Sequence, residues 1–295
     1  MFFKRKNKEK AVSRTIFGYA EIGANEDLKL IGLNEIRGDI GDGTKIKITD
    51  GGGLLVRGNI GDNVEIIVEG KKKKSASIII KSGGKPYDEK KFNGCVIVEG
   101  RCGDHVSIEA PLDIHIQDAG DHFMGTAGFD FTAANLGDHS WIDAKLDIDI
   151  KNGGTRTILV AGHEVTAKNI GENSEITSGL DMELHDVGAH SELEAGHDLT
   201  ARSVGENSTL KSGLDMDVHT LGHACKAVSG HDYTGNLIGQ KCHVKAGLDL
   251  EVKKAFNNAT LKSAFDPEVD KYLDPSQDKT APTKKTAPPN NFDIM

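Results

Sequence analysis

The stretch from residue 171 to 221 consists of three consecutive 17-residue segments that resemble one another: GENSEITSGLDMELHDV (171–187), GAHSELEAGHDLTARSV (188–204) and GENSTLKSGLDMDVHTL (205–221). Each segment opens with a glycine, carries a second glycine eight residues later, and has an acid two residues after that. Self-similarity at a fixed period is the signature of a repeat architecture. The repeat therefore decides the fold class before any local structure is assigned.

The same period continues on both sides of this stretch. Opening glycines recur at 17-residue intervals, and we predict that they form structural turns. Those of the most regular region are Gly171, Gly188, Gly205, Gly222 and Gly239. The acid recurs without a slip in ten consecutive units. Its positions are Asp113, Asp130, Asp147, Glu164, Asp181, Asp198, Asp215, Asp232, Asp249 and Asp266.

Within each unit, small or apolar residues alternate with polar ones, which is the pattern of β-strands. Equivalent positions hold side chains of one size, such as the alanine or serine seven residues after each opening glycine. Such rows suit a narrow tube in which every coil stacks on the previous one at about 4.8 Å. The sequence predicts an all-β fold, a parallel β-helix (β-solenoid) with about 17 residues per coil and roughly 12–14 coils.

The residue two positions after each opening glycine is one that tolerates a left-handed backbone conformation. Asparagine, histidine or glycine occupies most of these positions. These residue types accept a positive φ more readily than others, so we predict a tight corner at each of them. The positions are Gly43, Asn63, His105, His122, His139, Asn173, His190 and Asn207.

The period and the composition divide the chain into three parts. Residues 1–14 form a basic head that we expect to be disordered, 15–270 form the solenoid, and 271–295 are a disordered Pro/Thr/Lys-rich tail. Residues surplus to the period fall near 70–74 and 85–94, where we expect surface loops.

The last coil departs from the repeat. Phe256 and Phe265 replace two of the glycines, and Pro267 falls where a strand is expected. We predict that residues 254–270 cap the C-terminal end of the solenoid, which argues against free growth of a polymer there.

Charge and composition exclude several classes of protein. The net charge is −9, with +5 in residues 1–14 and +1 in residues 271–295, which leaves −15 for the solenoid. A body this acidic repels phosphate backbones, so we expect no nucleic-acid partner. There is no apolar run long enough to span a bilayer as a helix, and the basic N-terminus leads into no apolar segment of a secretory signal. Four cysteines without a disulfide framework indicate a reducing compartment, and we expect a cytoplasmic protein.

The column of acids is the clearest candidate for a site. Carboxylates stacked one per coil would repel one another unless a cation or hydrogen-bond donors compensate them. Calcium could bind at this column, but the nonapeptides of calcium-binding β-rolls are missing. We favour hydrogen bonds from backbone N–H groups at the corner. The residues that would hold the metal are Asp181, Asp198, Asp215, Asp232 and Asp249.

Two sets of histidines also suggest metal ligation. His163, His197 and His231 precede the acid in alternate coils, so neighbouring histidines lie about 9.6 Å apart and cannot share an ion. We expect them to pack or to form hydrogen bonds. The corner histidines at 105, 122 and 139 recur one coil apart, which makes a metal conceivable, but asparagine and lysine at the same position favour a role in turn geometry.

Catalytic motifs are missing from the sequence. It contains no GxSxG elbow, P-loop, HExxH, CxxC or dinucleotide fingerprint. We therefore expect a protein that is not an enzyme and that needs no cofactor.

The N-terminal part resembles the bactofilins, which are bacterial cytoskeletal proteins. The resemblance rests on the start MFFKRKNKEK, on the turns RGDIGDGTKIKI (37–48) and RGNIGDNVEIIV (57–68), and on the period near 17. It implies a right-handed β-helix and nucleotide-free, end-to-end polymerisation. It also implies attachment to an anionic membrane through the N-terminus. The residues that would make this contact are Met1, Phe2, Phe3, Lys4, Arg5 and Lys6.

The GxD column over 111–266 is instead similar to filamentous-haemagglutinin repeats, as in AGHDLTA (195–201). Those repeats belong to exported adhesins. The sequence thus predicts a non-enzymatic scaffold that assembles with itself. The alternative is a binding module or secreted bacterial effector that presents a solenoid face to a partner, and a lesser alternative is a metal-stabilised solenoid.

Overall fold

The computed structural model describes residues 16–69 and 94–277, and these form a parallel β-solenoid of about 14 turns spaced about 17 residues apart. The predicted fold class is confirmed. The described residues contain almost no helix, apart from a single 3₁₀ turn at Pro275–Gln277.

The strands run in chain order from one end of the tube to the other. They are β1 (Ile16–Tyr19), β2 (Asp27–Ile36), β3 (Lys45–Val56), β4 (Glu65–Val68), β5 (Val96–Cys102), β6 (Ser107–Ala110), β7 (Ile114–Ala119), β8 (Met124–Ala127), β9 (Phe131–Leu136), β10 (Trp141–Ala144), β11 (Ile148–Gly153), β12 (Ile158–Ala161), β13 (Val165–Ile170), β14 (Glu175–Ser178), β15 (Met182–Val187), β16 (Glu192–Ala195), β17 (Leu199–Val204), β18 (Thr209–Ser212), β19 (Met216–Leu221), β20 (Lys226–Ser229), β21 (Tyr233–Ile238), β22 (His243–Lys245), β23 (Leu250–Phe256), β24 (Thr260–Lys262) and β25 (Glu268–Leu273).

Each regular coil contributes one short strand and one long strand. Away from the two ends of the tube, every strand of the regular coils pairs in parallel with its equivalents in the coils before and after, and paired residues are 17 apart, as for Val165 and Met182. The pairing of β13 with β15 omits Lys168, which divides the long strand into two pieces. A coil therefore consists of three short segments joined by corners, as the length of the repeat predicts.

The core is a set of parallel rows inside the tube. Leu159 and Val165 are fully buried, and their equivalents in the neighbouring coils lie directly above and below them. Apolar residues bury surface mainly against the same residue type one coil away. One such row is Ile142, Leu159, Ile176, Leu193 and Leu210.

From residue 140 to residue 208, hydroxyl groups form one of the buried rows, three residues after the opening glycine of each coil. The hydroxyl of Ser174 donates to the carbonyl of Gly171 at 3.0 Å, and the hydroxyl of Ser191 donates to the carbonyl of Gly188 at 3.1 Å. The small polar side chain is tolerated inside the tube because its hydrogen-bonding capacity is satisfied there.

The opening glycines are required by the close approach of neighbouring coils. A Cβ on Gly171 would lie 2.6 Å from the carbonyl carbon of Gly154, and one on Gly188 would lie 2.4 Å from the amide nitrogen of Glu172. The second glycine of each unit is packed more tightly, since a Cβ on Gly196 would lie 1.9 Å from the carbonyl oxygen of Gly179.

The left-handed conformation predicted at the corners is confirmed. His122 has a φ of 58° and Asn173 a φ of 59°. Three other residue types at the same position of the repeat share this conformation: Arg156 (55°), Ala224 (53°) and Lys241 (57°).

The last strand of the solenoid ends beyond the boundary that the sequence predicts. β25 continues the ladder to Leu273, past the predicted limit at residue 270, and Pro267 stands immediately before this strand. The head at 1–14, the loop at 70–74 and all of 85–94 except Gly94 lie outside the described residues.

Candidate functional site

The acids of the GxD column form a ladder of hydrogen bonds along one corner of the tube. From Asp181 to Asp232, each carboxylate Oδ1 accepts from the backbone N–H of the aspartate one coil later. The distances are 3.3 Å from Asp181 to Asp198, 3.1 Å from Asp198 to Asp215, 3.2 Å from Asp215 to Asp232 and 3.2 Å from Asp232 to Asp249. The column thus has the backbone contacts that the hydrogen-bonding hypothesis predicts.

These five candidate metal ligands lie in one column, and each coil contributes a single carboxylate to it. In the part of the chain that the structure describes, no group of three His, Cys, Asp or Glu side chains is arranged to hold a metal ion. The ladder supplies N–H donors to the stacked carboxylates, which reduces their mutual repulsion without a cation.

Asp130 lies in an environment that disfavours the ionised form of its carboxyl group. Partial burial, and then the charge of the neighbouring Asp113, raise the pKa of the Asp130 carboxyl above its ordinary value. Asp113 is itself buried. Two acids one coil apart with little solvent between them disfavour double ionisation.

A second carboxylate ladder runs along another corner, at the residue that follows the opening glycine. Asp62 N–H donates to Asp42 at 2.9 Å, Asp104 to Asp62 at 2.8 Å and Asp121 to Asp104 at 2.9 Å. Sequence reasoning assigned these residues only to a turn. The recurring Gly-Asp pair was the signal that could have identified the ladder.

An asparagine ladder was also missed. The side-chain amide of Asn152 donates to Asn135 at 2.6 Å, that of Asn169 donates to Asn152 at 2.7 Å, and Asn135 donates to the carboxylate of Asp118 at 2.5 Å. Stacked amides of this kind stabilise parallel strands in register. The 17-residue spacing of the three asparagines was visible in the sequence.

The three corner histidines form a stack. The ring centroids of His105 and His122 are 4.5 Å apart, and those of His122 and His139 are 4.8 Å apart with nearly parallel planes. Nη1 of Arg156 lies 3.1 Å from Nε2 of His139. Parallel rings at this spacing direct their nitrogens side by side, whereas ligands of one zinc ion must converge to about 2.0–2.1 Å. The geometry therefore favours a role in the corner over shared ligation.

The alternating histidines lie on a different, exposed corner. His197 lies between Leu180 and Leu214 in a column held together by backbone hydrogen bonds. Leu180 is 36% exposed, and the three histidines are exposed as well. The column comprises His163, Leu180, His197, Leu214, His231 and Leu248.

The four cysteines are buried and free. Burial raises the pKa of Cys102 to about 12. The hydrogen bond with the Cys242 sulfur, and then burial, raise the pKa of Cys225. Cys225 and Cys242 occupy the hydroxyl row, and their thiols donate to the carbonyls of Gly205 at 3.2 Å and Gly222 at 2.9 Å. A buried thiol with a raised pKa stays neutral, and a neutral thiol is a poor nucleophile.

The surface of the described residues offers shallow hollows. One lies at the N-terminal end beside Tyr19 and Arg37. Another lies on the side of the tube and is lined by Lys226, His243, Lys245 and Lys262. The predicted membrane-contact residues Met1, Phe2, Phe3, Lys4, Arg5 and Lys6 lie outside the described residues.

No family model, no curated protein and no solved structure matches this chain. Across residues 16–69 and 94–277, none of the helical structure has the length and apolar character needed to cross a membrane.

Proposed function

We propose that the protein is a non-enzymatic scaffold, a stiff rod that joins further copies end to end as a bactofilin-like cytoskeletal element in the bacterial cytoplasm. About 14 coils at roughly 4.8 Å give a rod about 65 Å long. The carboxylate ladders, the corner histidines and the buried thiols support a structural role, because each of these groups is already engaged in holding neighbouring coils together.

The observation that carries this proposal is the state of the two ends. Among the described residues, β24 and β25 pair only with the preceding coil, and β1 pairs only with β2. Leu261 and Val269 at one end, and Tyr19 and Leu28 at the other, continue the core but are only partly buried. An open strand edge with apolar residues behind it is a template for pairing with another chain.

The predicted cap at 254–270 leads to the opposite expectation for the C-terminal end. Growth of filaments through β24 and β25 would contradict the cap, whereas filaments or dimers joined only at the N-terminal end would agree with it. The cap remains a prediction until the assembly is observed.

Electron microscopy of the full-length protein tests the joining of the ends. We expect filaments or short chains of rods at high protein concentration, and their loss in a variant carrying Tyr19→Glu and Val269→Glu. The control is Thr200→Glu with Thr234→Glu, which adds the same two charges at exposed positions on β17 and β21, away from the ends of the rod. Single rods at every salt and protein concentration, or filaments that tolerate the variant, would contradict the proposal.

We extend the proposal to the membrane through the N-terminal residues. The apolar tip Met1–Phe3 and the bases that follow it would bind an anionic leaflet weakly, and polymer avidity would strengthen the contact. Flotation with vesicles containing phosphatidylserine tests this. Binding should fall when Phe2 and Phe3 are replaced by serine, and binding equal to that of wild type would contradict the attachment.

A second candidate function, a binding module or secreted effector, is favoured by apolar side chains that lie open on one side of the rod. Met124 is 50% exposed and Val160 is 36% exposed. In the effector form of this hypothesis the export signal lies in residues 271–295. Translocation that survives deletion of this tail would exclude it.

A further inference from the structure

One side of the rod is formed by the outward side chains of the short strands, and we call it the short-strand face. Each short strand contributes its first and third residues. The first residues from β10 to β24 are Trp141, Ile158, Glu175, Glu192, Thr209, Lys226, His243 and Thr260. The third residues are Asp143, Val160, Thr177, Glu194, Lys211, Val228, Lys245 and Lys262.

Along the chain this face changes from acidic to basic. The acidic block comprises Asp143, Glu175, Glu192 and Glu194, and the basic block comprises Lys211, Lys226, Lys245 and Lys262. Glu175 and Glu192 are exposed and stand directly opposite each other in the ladder. Lys245 and Lys262 are exposed and likewise directly opposite each other. Like charges in directly paired positions destabilise a sheet. The fold therefore maintains two unfavourable pairs on one face.

The rod compensates little of this charge internally. Lys211 and Glu194 form an ion pair across the boundary between the two blocks. In the described part of the chain, no ion pair involves Glu175, Glu192, Lys226, Lys245 or Lys262. A partner that places opposite charge over each block would relieve both.

The sequence of charges is self-complementary about the boundary between β16 and β18. A two-fold axis that lies at this boundary and runs parallel to the strands relates the rod to a second rod of opposite direction. It places the first residues of the short strands of one rod over the first residues of the other, and the third residues over the third. Glu175 then lies over Lys226 of the second copy, and Asp143 lies over Lys262 of the second copy. The geometry points to an antiparallel dimer in which two copies of this chain pack through their short-strand faces.

The partner is a second copy because one operation places an opposite charge over one member of each like-charged pair, on both chains. A two-fold contact is closed, since each residue pair occurs twice. Ile158 and Val160 of one rod lie over His243 and Lys245 of the other, where the aliphatic parts of lysine side chains cover apolar surface. Eight coils span about 38 Å and a four-residue strand spans about 13 Å, so the two faces bury roughly 1,000 Å² in total. An interface of this size with charged contacts is weak and sensitive to salt.

This pairing is lateral and does not depend on the end-to-end joining proposed above. Zero-length carbodiimide cross-linking of the full-length protein, with chains of two isotopic compositions mixed, tests it directly. Within one chain Glu175 and Lys226 are three coils apart, about 14 Å, and Asp143 and Lys262 are seven coils apart, about 34 Å. We expect both cross-links to form between chains at low salt and to vanish at high salt. Rods joined only at their ends would give neither, and that result would overturn the proposal.

Charge reversal provides the second test, read by sedimentation velocity. The variant Glu175→Lys/Glu192→Lys and the variant Lys226→Glu/Lys245→Glu should each dimerise at least tenfold more weakly than wild type. Mixing the two variants should restore dimers, and so should combining all four substitutions in one chain. Restoration distinguishes a contact between copies from damage to the fold.

The matched controls reverse two exposed charges of one sign on the long strands, Glu183→Lys with Asp217→Lys and Lys168→Glu with Lys253→Glu, and each should leave dimerisation unchanged. Monomers at all concentrations in low salt would overturn the proposal. Dimers that are indifferent to the reversals would overturn it too.

Discussion

The side chain of Tyr233 is fully buried inside the tube beside Gly235, at a position where a Cβ on the glycine would lie 3.1 Å from Cε1 of the tyrosine ring. Both residues belong to β21 and point inward, and the equivalents of Gly235 in earlier coils are valine and alanine. The same arrangement occurs near Phe131, where a Cβ on Gly125 would lie 2.8 Å from the ring. Large rings enter this narrow core only where a glycine makes room for them.

The Tyr233 hydroxyl has no hydrogen-bond partner among the described residues. A buried, unpaired hydroxyl costs free energy, so Tyr233→Phe should raise the free energy of unfolding by up to about 1 kcal/mol. Urea denaturation measures the change. The control is Tyr272→Phe, since Tyr272 is 58% exposed and its substitution should have no effect. A loss of stability in the Tyr233 variant would indicate that the hydroxyl has a partner.

Gly196→Ala should destabilise the solenoid severely. The new methyl group would lie 1.9 Å from the carbonyl oxygen of Gly179, and backbone atoms cannot move away without breaking the ladder. We expect a loss of at least about 3 kcal/mol, measured by thermal unfolding. His197→Ala, at the exposed neighbouring position, should change stability by less than about 0.5 kcal/mol. Equal effects of the two substitutions would contradict the close approach of the coils.

The carboxylate ladder should be independent of calcium. Asp198→Ala removes the acceptor for the N–H of Asp215 and should cost about 1 kcal/mol, whereas Asp198→Asn retains an oxygen at this position and should cost less. The melting temperature of the wild-type protein should be the same in calcium and in a chelator. A rise of several degrees with calcium would favour the metal-stabilised solenoid.

Asp130 should make stability depend on pH in a direction opposite to that of a salt-bridged acid. Its pKa in the folded protein is raised, so its stabilising contribution is present when it is protonated and is lost as the pH rises through the folded pKa. Asp130→Asn should therefore stabilise the protein at pH 7, by less than about 1 kcal/mol because the group is partly exposed. The difference from wild type should shrink towards pH 3. A variant that is less stable at pH 7 would refute this.

The cysteines should resist alkylation in the folded protein. Burial raises the pKa of Cys95 and of Cys102 to about 12, so very little thiolate is present at pH 8. Mass spectrometry after treatment with iodoacetamide should show unmodified native protein and full modification in denaturant. Rapid labelling of a native thiol would show that it is accessible.

The repeat made much of this structure predictable from sequence. Leu159 and Ile176 are buried, as the alternation of apolar and polar residues predicts. This burial was predictable because every coil repeats the same environment, so one sequence shows the same inward position many times. His122 and Asn173 have positive φ as their residue types predict. The carboxylate contacts of Asp198 followed from chemistry, since an acid beside a glycine corner can accept a backbone N–H.

Other features required the folded coils. Ala224 gives no sequence signal for a positive φ, yet its backbone N–H donates to the carbonyl of Gln240 at 2.8 Å, as the equivalent residues of other corners do. The ladder imposes the conformation on any residue at that position. The space that Gly125 leaves for Phe131 could not be predicted from the sequence either. It depends on which side chains occupy the same part of the interior of the tube.

The sequence by itself determined the coil, its corners and its inward rows, because a period of 17 residues specifies which positions repeat and which alternate. Glu175 and Lys226 are 51 positions apart in the chain, which is three periods, so the sequence already places them in one column. Only the tertiary structure decided which columns point outward side by side and which of their charges are already paired, as Lys211 is with Glu194. The local pattern specifies each coil, whereas the surface that another molecule meets is the sum of many coils in register.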